Sequence, residues 1–465
     1  MGKSFRVLSV VAIAAACLST AGNAENPIIQ TNFTADPAPL VHDGTVYLYT
    51  SHDEDDAYGF KMKDWRLYTS TDMVNWTDHG AVASLATFPW ARQDNDAWAP
   101  QVVERDKKFY LYVPISAPGE PKNVIAVAVA DKPEGPFKDA LGHPLVGPTN
   151  GYIDPTVFVD DGGQAYLYWG NPNVWYVKLN KDMVSYSGDI VKVASKPGNY
   201  QEGPWFYKHN GKYYLAYAST CCSEGIGYAM SDGPTGPWVH NGDIMDGNKA
   251  SSGNHPGIID YKGGSYVFGF NYRLNFDDTP VHRERRSVTV AKFAYNADGT
   301  IPNLPWWNTE GVAQLGALDP YRRVEAETIA WTSRVPSEWD HPIDWVPGIK
   351  TAKKDGLGVY LTRITDKTYI KVAGVDFGKG ATHFTAAVAS GSEGGSIELH
   401  LDRYNGPVIG TLPVPGTGGW DAWQDTTTAV SGAAGKHDLF FVFKGPGSDP
   451  LFNFDYWQFD KARRH

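Results

Sequence analysis

Five copies of one short pattern govern what this chain can fold into. The clearest copy is "NYQEGPWFYKHNGKYYLAYAST", from Asn199 to Thr220. Two β-rich runs flank a turn that contains Asn-Gly, which is a hairpin signal. Variants read "LVHDGTVYLYTS", "VVERDKKFYLYVP", "VFVDDGGQAYLYWG" and "IIDYKGGSYVFGFN". They recur roughly every 50–60 residues, the spacing of propeller blades. Each copy is followed by another pair of strand-like runs, such as "RLYTSTDMVNWTDHG" or "GYAMSDGPTGPWVHNG". Four short strands per repeat, five times, predict a five-bladed β-propeller. The apolar spacing is two rather than 3.6, and Gly and Pro are frequent, which disfavours a helical solenoid.

A short polar-plus-proline element precedes each first strand. In order these are Ala35-Asp36-Pro37, Trp98-Ala99-Pro100, Ile153-Asp154-Pro155, Glu202-Gly203-Pro204 and His255-Pro256-Gly257. The innermost strand of a blade lines the central channel. Equivalent positions in five blades therefore converge on one end of the axis. Three carboxylates, a tryptophan and a histidine are expected to meet there.

Two carboxylates cleave a glycosidic bond when their surroundings separate their roles into a protonated acid and an ionised base or nucleophile. A third carboxylate raises the acid's pKa by like-charge repulsion and helps orient it. Asp36, Asp154 and Glu202 fit that scheme. A lone Asp before Pro is most often a turn residue, but three acids in register argue for chemistry. A divalent ion on Asp36, Asp154, Glu202 and His255 is a third reading; no HExxH, EF-hand loop or Cys/His cluster accompanies it. Trp98 reads equally as a sugar platform or a core residue. His255 reads as an axis residue holding water or a cation, or as a satisfied core polar group. Arg286, in "HRERRSVTV", is a candidate to turn inward onto substrate. The acidic "HDEDDAYG" near Asp53 reads as a solvated loop.

The chain has 465 residues, enough for two domains. Sixteen tryptophans and 26 tyrosines suit strands, and they also suit sugar binding, because an aromatic face matches the C–H face of a pyranose. The start, "MGKSFRVLSVVAIAAACLSTAGNA", has a basic end, a short apolar core and small residues, as a secretory signal does. Cleavage is expected after Ala24, and a lipid-modified Cys17 is the alternative. Loss of Lys3 and Arg6 takes the formal charge from −11 to −13. An acidic exported protein is a poor partner for nucleic acid or anionic membranes, and a neutral polysaccharide fits better. Cys221 and Cys222 are then the remaining cysteines, as free thiols or a strained vicinal pair, so the fold rests on core burial rather than a disulfide framework.

The repeats end near Ile301. The Pro-rich stretch that follows reads as a closing segment, with a linker over 311–320. From about Tyr321 strand-like runs follow one another, among them "TYIKVAGVDF", "GSIELHLD" and "LFNFDYWQF". No helix-length pattern interrupts them, which predicts a β-sandwich of jelly-roll type over 321–465.

The stretches "TADPAPLVHDGTVYLYTSHDE", "DWRLYTSTDMVNWTDHG", "AWAPQVV", "YIDPTVFVDD" and "QEGPWFYKHNGKYYLAYAS" resemble glycoside hydrolase family 43 from about Asn26 to Ile301. The resemblance implies a five-bladed propeller and an inverting single displacement. Asp36 would be the general base, Glu202 the general acid and Asp154 the residue that tunes and orients the acid. The C-terminal part resembles a family 6 carbohydrate-binding module, through "YRRVEAET", "GTGGWDAWQD" and "FNFDYWQF". That implies a structural calcium at Glu325, Glu327 and Asp455. It also implies ligand contacts from Tyr360, Trp420 or Trp423, and Asn453. The wording of "SHDED" and "DWRLYTSTDMVNWTDHG", joined to such a module, resembles arabinoxylan arabinofuranohydrolases, which remove α-L-arabinofuranose from xylan. β-Xylosidases and arabinanases share the acidic trio, and a non-catalytic carbohydrate-binding propeller is the rival from another class.

Overall fold

A computed structural model describes residues 23–194, 196–220, 223–248, 251–307, 309–334 and 348–462. The leader, with Cys17, and the Cys221-Cys222 pair lie outside the described residues. Blade 1 is an antiparallel meander of Phe33–His42, Thr45–Asp53, Met62–Ser70 and Trp76–Ser84. Blade 2 uses Gln101–Arg105, Lys108–Ser116, Asn123–Ala130 and Lys138–Asp139. Blade 3 uses Thr156–Val159, Ala165–Trp169, Trp175–Leu179 and Tyr186–Lys192. Blade 4 uses Tyr200–His209, Lys212–Ser219, Gly225–Ser231 and Val239–Met245. Among the described residues no helix is long and apolar enough to cross a membrane.

The repeat explains the packing. Its second strand carries one aliphatic residue directly after an aromatic one: Leu48, Leu111, Leu167, Leu215 and Val267. All five are fully buried. Period-two alternation points them into the wedges between blades, and burying each adds about 1.5–3 kcal/mol.

Blade 5 departs from the expected four strands. It has three, Gly257–Tyr261, Gly264–Asn271 and Ser287–Phe293. The helix Arg273–Asp278 sits in the connection between the last two. The start of the domain completes the edge instead. The Asn26 side-chain amide bonds the N–H and C=O of Val290, at 3.0 Å each. The N–H groups of Ile28 and Thr34 donate to the carbonyls of Val288 and Arg286 at 2.9 Å. Asn23–Glu25 then pairs with Glu310–Ala313. An edge strand with unpaired backbone groups is unfavourable, and this segment both covers it and closes the ring.

The C-terminal part is a β-sandwich. One sheet runs in the order Lys350–Lys354, Gly358–Thr362, Asn453–Lys461, Ala381–Ala389, Gln424–Ala429. The other runs Trp331–Thr332, Tyr369–Asp376, Lys436–Lys444, Gly394–Leu401, Val408–Pro415. Leu361, Phe384, Leu399, Phe441, Phe454 and Trp457 fill the space between them.

The stretch read as a linker is bonded on both sides. Leu315 N–H donates to Asp72 C=O at 2.9 Å, and Leu318 N–H to Gly374 C=O at 3.1 Å. Thr328–Ile329 adds a fifth strand to blade 1. The Asn75 amide bonds both backbone groups of Ala373, at 2.9 and 2.8 Å. Lys350 reaches Asp55 at 2.7 Å.

Candidate active site

The five polar-plus-proline elements meet around the axis. Pro37, Pro100, Pro155, Pro204 and Pro256, one from each blade, line a cavity of about 20 Å³ together with Asp36, Asp154 and His255. That is room for one water-sized occupant.

The backbone is bent to aim these side chains. Asp36 has φ +51° and Asp154 φ +60°, in the left-handed region that non-glycine residues rarely adopt. Such a conformation costs about 1–3 kcal/mol and persists where the surroundings hold it. At Asp36 it accompanies a bulge between Ala35 and Ala38. At Glu202 bulges lie on both sides. Gly203, beside Glu202, has φ +58°, and a Cβ there would stand 2.4 Å from the His255 ring. Only glycine admits both the turn and the imidazole.

His255 is the hub. Its Nδ1 lies 3.3 Å from Asp36 Oδ1, and its Nε2 lies 3.5 Å from Glu202 Oε1 and 3.8 Å from Asp154 Oδ2. Asp36 and Glu202 therefore approach opposite nitrogens of one ring. Burial works against the imidazolium, but Asp154, Asp36 and Glu202 outweigh it and raise the His255 pKa to about 10. Burial raises Asp154 to about 7, helped by Glu202 and Asp36 and opposed by His255. Asp154 also accepts the Gly203 N–H at 3.1 Å, which ties it to the backbone beside Glu202.

Arg286 fixes Asp36. Its Nη1 donates to Asp36 Oδ1 at 3.0 Å, and its Nε and Nη2 grip Asp53 at 3.0 and 2.9 Å. Asp53 is fully buried, not part of a solvated loop as its acidic neighbours suggested. Burial raises its pKa, against the pull of Arg286. The Ser51 hydroxyl donates to the other oxygen of Asp36, and the Asn171 amide donates to Glu202 Oε2.

Asp53, Ser51, Asn171 and Glu224 were missed in the sequence. Ser51 and Asp53 stand in the hairpin strand opposite Asp36, where the short motif gives no hint of an axial partner. Glu224 is buried beneath the pocket wall and accepts the N–H groups of Gly253 and Asn254. Burial and the Glu202 charge raise it to about 7.

A pocket of about 120 Å³ opens above this floor, lined by Asp36, Asp154, Glu202, His255, Arg286, Trp98, Phe60, Met62, Ile153 and Gly253. It is smaller than the ~300–1,000 Å³ of ordinary ligand pockets, which suits a single sugar unit. All six expected residues of the propeller site are thus brought together. Trp98 lines the pocket and also packs against the edge of the hydrophobic core. Asp154, Glu202 and His255 also present ligand atoms within 4.8 Å of one another, a spacing a metal ion accepts.

In the sandwich, Tyr360 and Trp423 meet edge to face at 5.2 Å. Trp420 is 42% exposed, and its carbonyl accepts the Asn453 amide at 2.8 Å. The expected calcium ligands divide. Glu327 Oε2 and Asp455 Oδ1 are buried without a hydrogen-bond partner, and burial raises the pKa of both residues. Two such oxygens suit a hard cation. Glu325 is turned to Arg323, which grips it through Nε and Nη2 at 2.9 and 2.8 Å, and the same Nη2 donates to Asp455 Oδ2 at 3.1 Å.

Residues 24–301 match the sequence model of the family described as glycosyl hydrolases family 43. Residues 342–461 match that of carbohydrate binding module family 6. The chain is 35% identical to an arabinoxylan arabinofuranohydrolase of Bacillus subtilis (strain 168), over 93% of this chain and 92% of that one. It is 33% identical to another of the same name from Paenibacillus polymyxa, over 98% of this chain and 77% of that one. The crystal structure of a family 43 arabinoxylan arabinofuranohydrolase from Bacillus subtilis, in complex with cellotetraose, superposes with TM-score 0.79. It is 34% identical and covers 96% of this chain and all of that one.

Proposed function

Because the chain belongs to glycosyl hydrolase family 43, we propose that it removes α-L-arabinofuranosyl branches from arabinoxylan by a single displacement with inversion. The observation that carries this reading is the convergence of Asp36, Asp154 and Glu202 on His255 beneath a pocket of one-sugar size. The likeness to two arabinoxylan arabinofuranohydrolases through both domains supports the substrate.

Asp36, oriented by Arg286 and Ser51, takes a proton from the water that attacks the anomeric carbon. Glu202, held by Asn171, protonates the leaving oxygen. Inverting enzymes keep the two carboxyls about 6.5–9.5 Å apart to admit that water, and the imidazole standing between Asp36 and Glu202 is in keeping with such a gap. Asp154 holds the backbone beside Glu202 and repels charge on it. His255 balances the three acids as a buried cation, and Arg286 fixes the base rather than reaching a distant group. Trp98 forms the wall against which the sugar ring rests.

Export follows from the leader-like start of the sequence. Glu327 and Asp455 are the carboxylates that would hold a structural calcium in the sandwich, with Glu325 joining only if it leaves Arg323. The water-sized axial cavity beside His255 is where a small cation would sit. Tyr360, Trp420, Trp423 and Asn453 form the second sugar-binding region.

The test is a product assay with wheat arabinoxylan, linear xylo-oligosaccharides and debranched arabinan. Arabinose from arabinoxylan alone is expected. Xylose from the linear oligomers would move the reading to a β-xylosidase with the same acids. No sugar from any of them would leave a carbohydrate-binding propeller.

A further inference from the structure

The pocket takes one sugar, so the rest of the polymer has to lie outside its mouth. Among the described residues ten large hydrophobic side chains are exposed, and four of them, Tyr58, Phe60, Phe276 and Val281, come from two adjoining segments. One is the blade 1 loop that follows Asp53. The other is the blade 5 connection that leads to Arg286. Phe60 lines the pocket itself. The two segments are joined: Glu284 N–H donates to Tyr58 C=O at 3.0 Å. His282 lies 3.5 Å from Glu284, and its ring is tilted against that of Phe276 with centroids 5.9 Å apart. The rings are also backed. The Arg283 guanidinium lies 4.4 Å from the Tyr58 ring, and that of Arg286 lies 5.0 Å from Phe60. Both arginines are buried, so these aromatics are held in place before any ligand arrives, and less ordering is lost on binding.

Resting on the reading above, we infer that Tyr58 and Phe276 form a shelf for the β-linked pyranose main chain from which the branch is cut. The chemistry matches: a linear chain of pyranoses presents flat C–H faces, and the shelf presents ring faces. Its position matches too. The strip begins at Phe60 in the pocket wall, and the leaving oxygen, still part of the main chain, must emerge there after protonation. The shelf binds the leaving polymer and takes no part in the bond cleavage.

The test uses the full chain and the Tyr58→Ala/Phe276→Ala double variant. Neither side chain touches the acids. Three readouts are taken: KM on arabinoxylan, hydrolysis of 4-nitrophenyl α-L-arabinofuranoside, and inhibition of that hydrolysis by unbranched xylohexaose. Losing ring contacts of the hot-spot kind costs about tenfold in affinity. The double variant is expected to raise KM on the polymer and the xylohexaose inhibition constant by about that factor, with hydrolysis of the small substrate within twofold of the parent. Tyr58→Phe, which keeps the ring, is expected to retain polymer KM. An unchanged inhibition constant would overturn the shelf, as would an equal loss on both substrates. Failure of the underlying reading would show in the parent protein instead, as no arabinose from arabinoxylan.

Discussion

The two domains are both built from short antiparallel strands, yet they put opposite things at their centres. The sandwich packs two sheets face to face, so its middle is filled by Phe384, Phe441, Phe454 and Trp457. Trp420 and Asn453, joined by a hydrogen bond, lie outside that packed centre. The propeller spreads its apolar residues into wedges between blades and leaves the axis to one residue from each. There stand Asp36, Trp98, Asp154, Glu202 and His255, of which Asp36 and Asp154 are buried, and the buried Arg286 of blade 5 lies beside them. Radial repetition lets distant parts of a chain each contribute one polar group to a site that water barely reaches, where charges interact strongly. Two stacked sheets have no such point of convergence.

Mutations should separate the two centres, and the axis should show the largest effects. Glu202→Gln and Asp36→Asn are each expected to lower kcat on arabinoxylan by about 10²–10⁴-fold, measured by arabinose release; Asp36→Asn, which weakens the buried pair with Arg286, is expected to lower Tm as well. Arg286→Met leaves Asp36 and Asp53 buried without their cation. Breaking a buried pair in this way costs about 3–5 kcal/mol, and a fall of roughly 10 °C or more in Tm is expected at 2–4 °C per kcal/mol. A Tm within a degree of the parent would mean that the axis is wetter than its burial suggests.

The joint between the domains gives a smaller effect of a different kind. Asn75→Ala leaves the Ala373 N–H without its acceptor, at about 1–3 kcal/mol for a group left unsatisfied, while its C=O keeps the Gln314 amide at 3.0 Å. Calorimetry of the parent is expected to show one transition for both domains, and the variant two. Two transitions in the parent would show that the domains melt independently despite the shared strand.

The alkaline pH response of the axis centres on His255. His255 titrates at about 10 in place against 6.5 in the unfolded chain. Its contribution to stability is complete below pH 6.5 and is lost as pH rises through 10. Tm is expected to fall across that window, and less steeply in His255→Gln. The smallest effect is expected at the sandwich edge. Trp420→Ala should raise KM on polymer a few-fold and leave hydrolysis of an aryl arabinofuranoside unchanged.

The sequence made the repeat legible because alternation and turn chemistry are local. The positions of Asp36, Asp154, Glu202 and His255 followed from it, since register in a closed ring converts sequence phase into a place on the axis. What was not legible depends on partners far away. Asp53 looked like one of a run of solvated acids until Arg286, 233 residues on, was seen to grip it. Blade 5 looked four-stranded because its tail has strand character, but Asn26, 264 residues earlier, takes the outer place. Glu325 kept the company of Glu327 in sequence, yet Arg323 turned it away.

The closure of the ring by residues 23–34 also sets when activity appears during synthesis. Asp36 is made early and its fixing partner Arg286 is 250 residues behind it. The strand that carries Arg286 is the same one against which the first residues of the domain are laid. Contacts so remote in sequence form slowly, because a long loop must be closed first. Joining the ends and completing the site are one event. A nascent chain halted before blade 5 is therefore expected to hydrolyse nothing, even with Asp36, Asp154 and Glu202 all present, and the turnover of arrested fragments of increasing length would time that event.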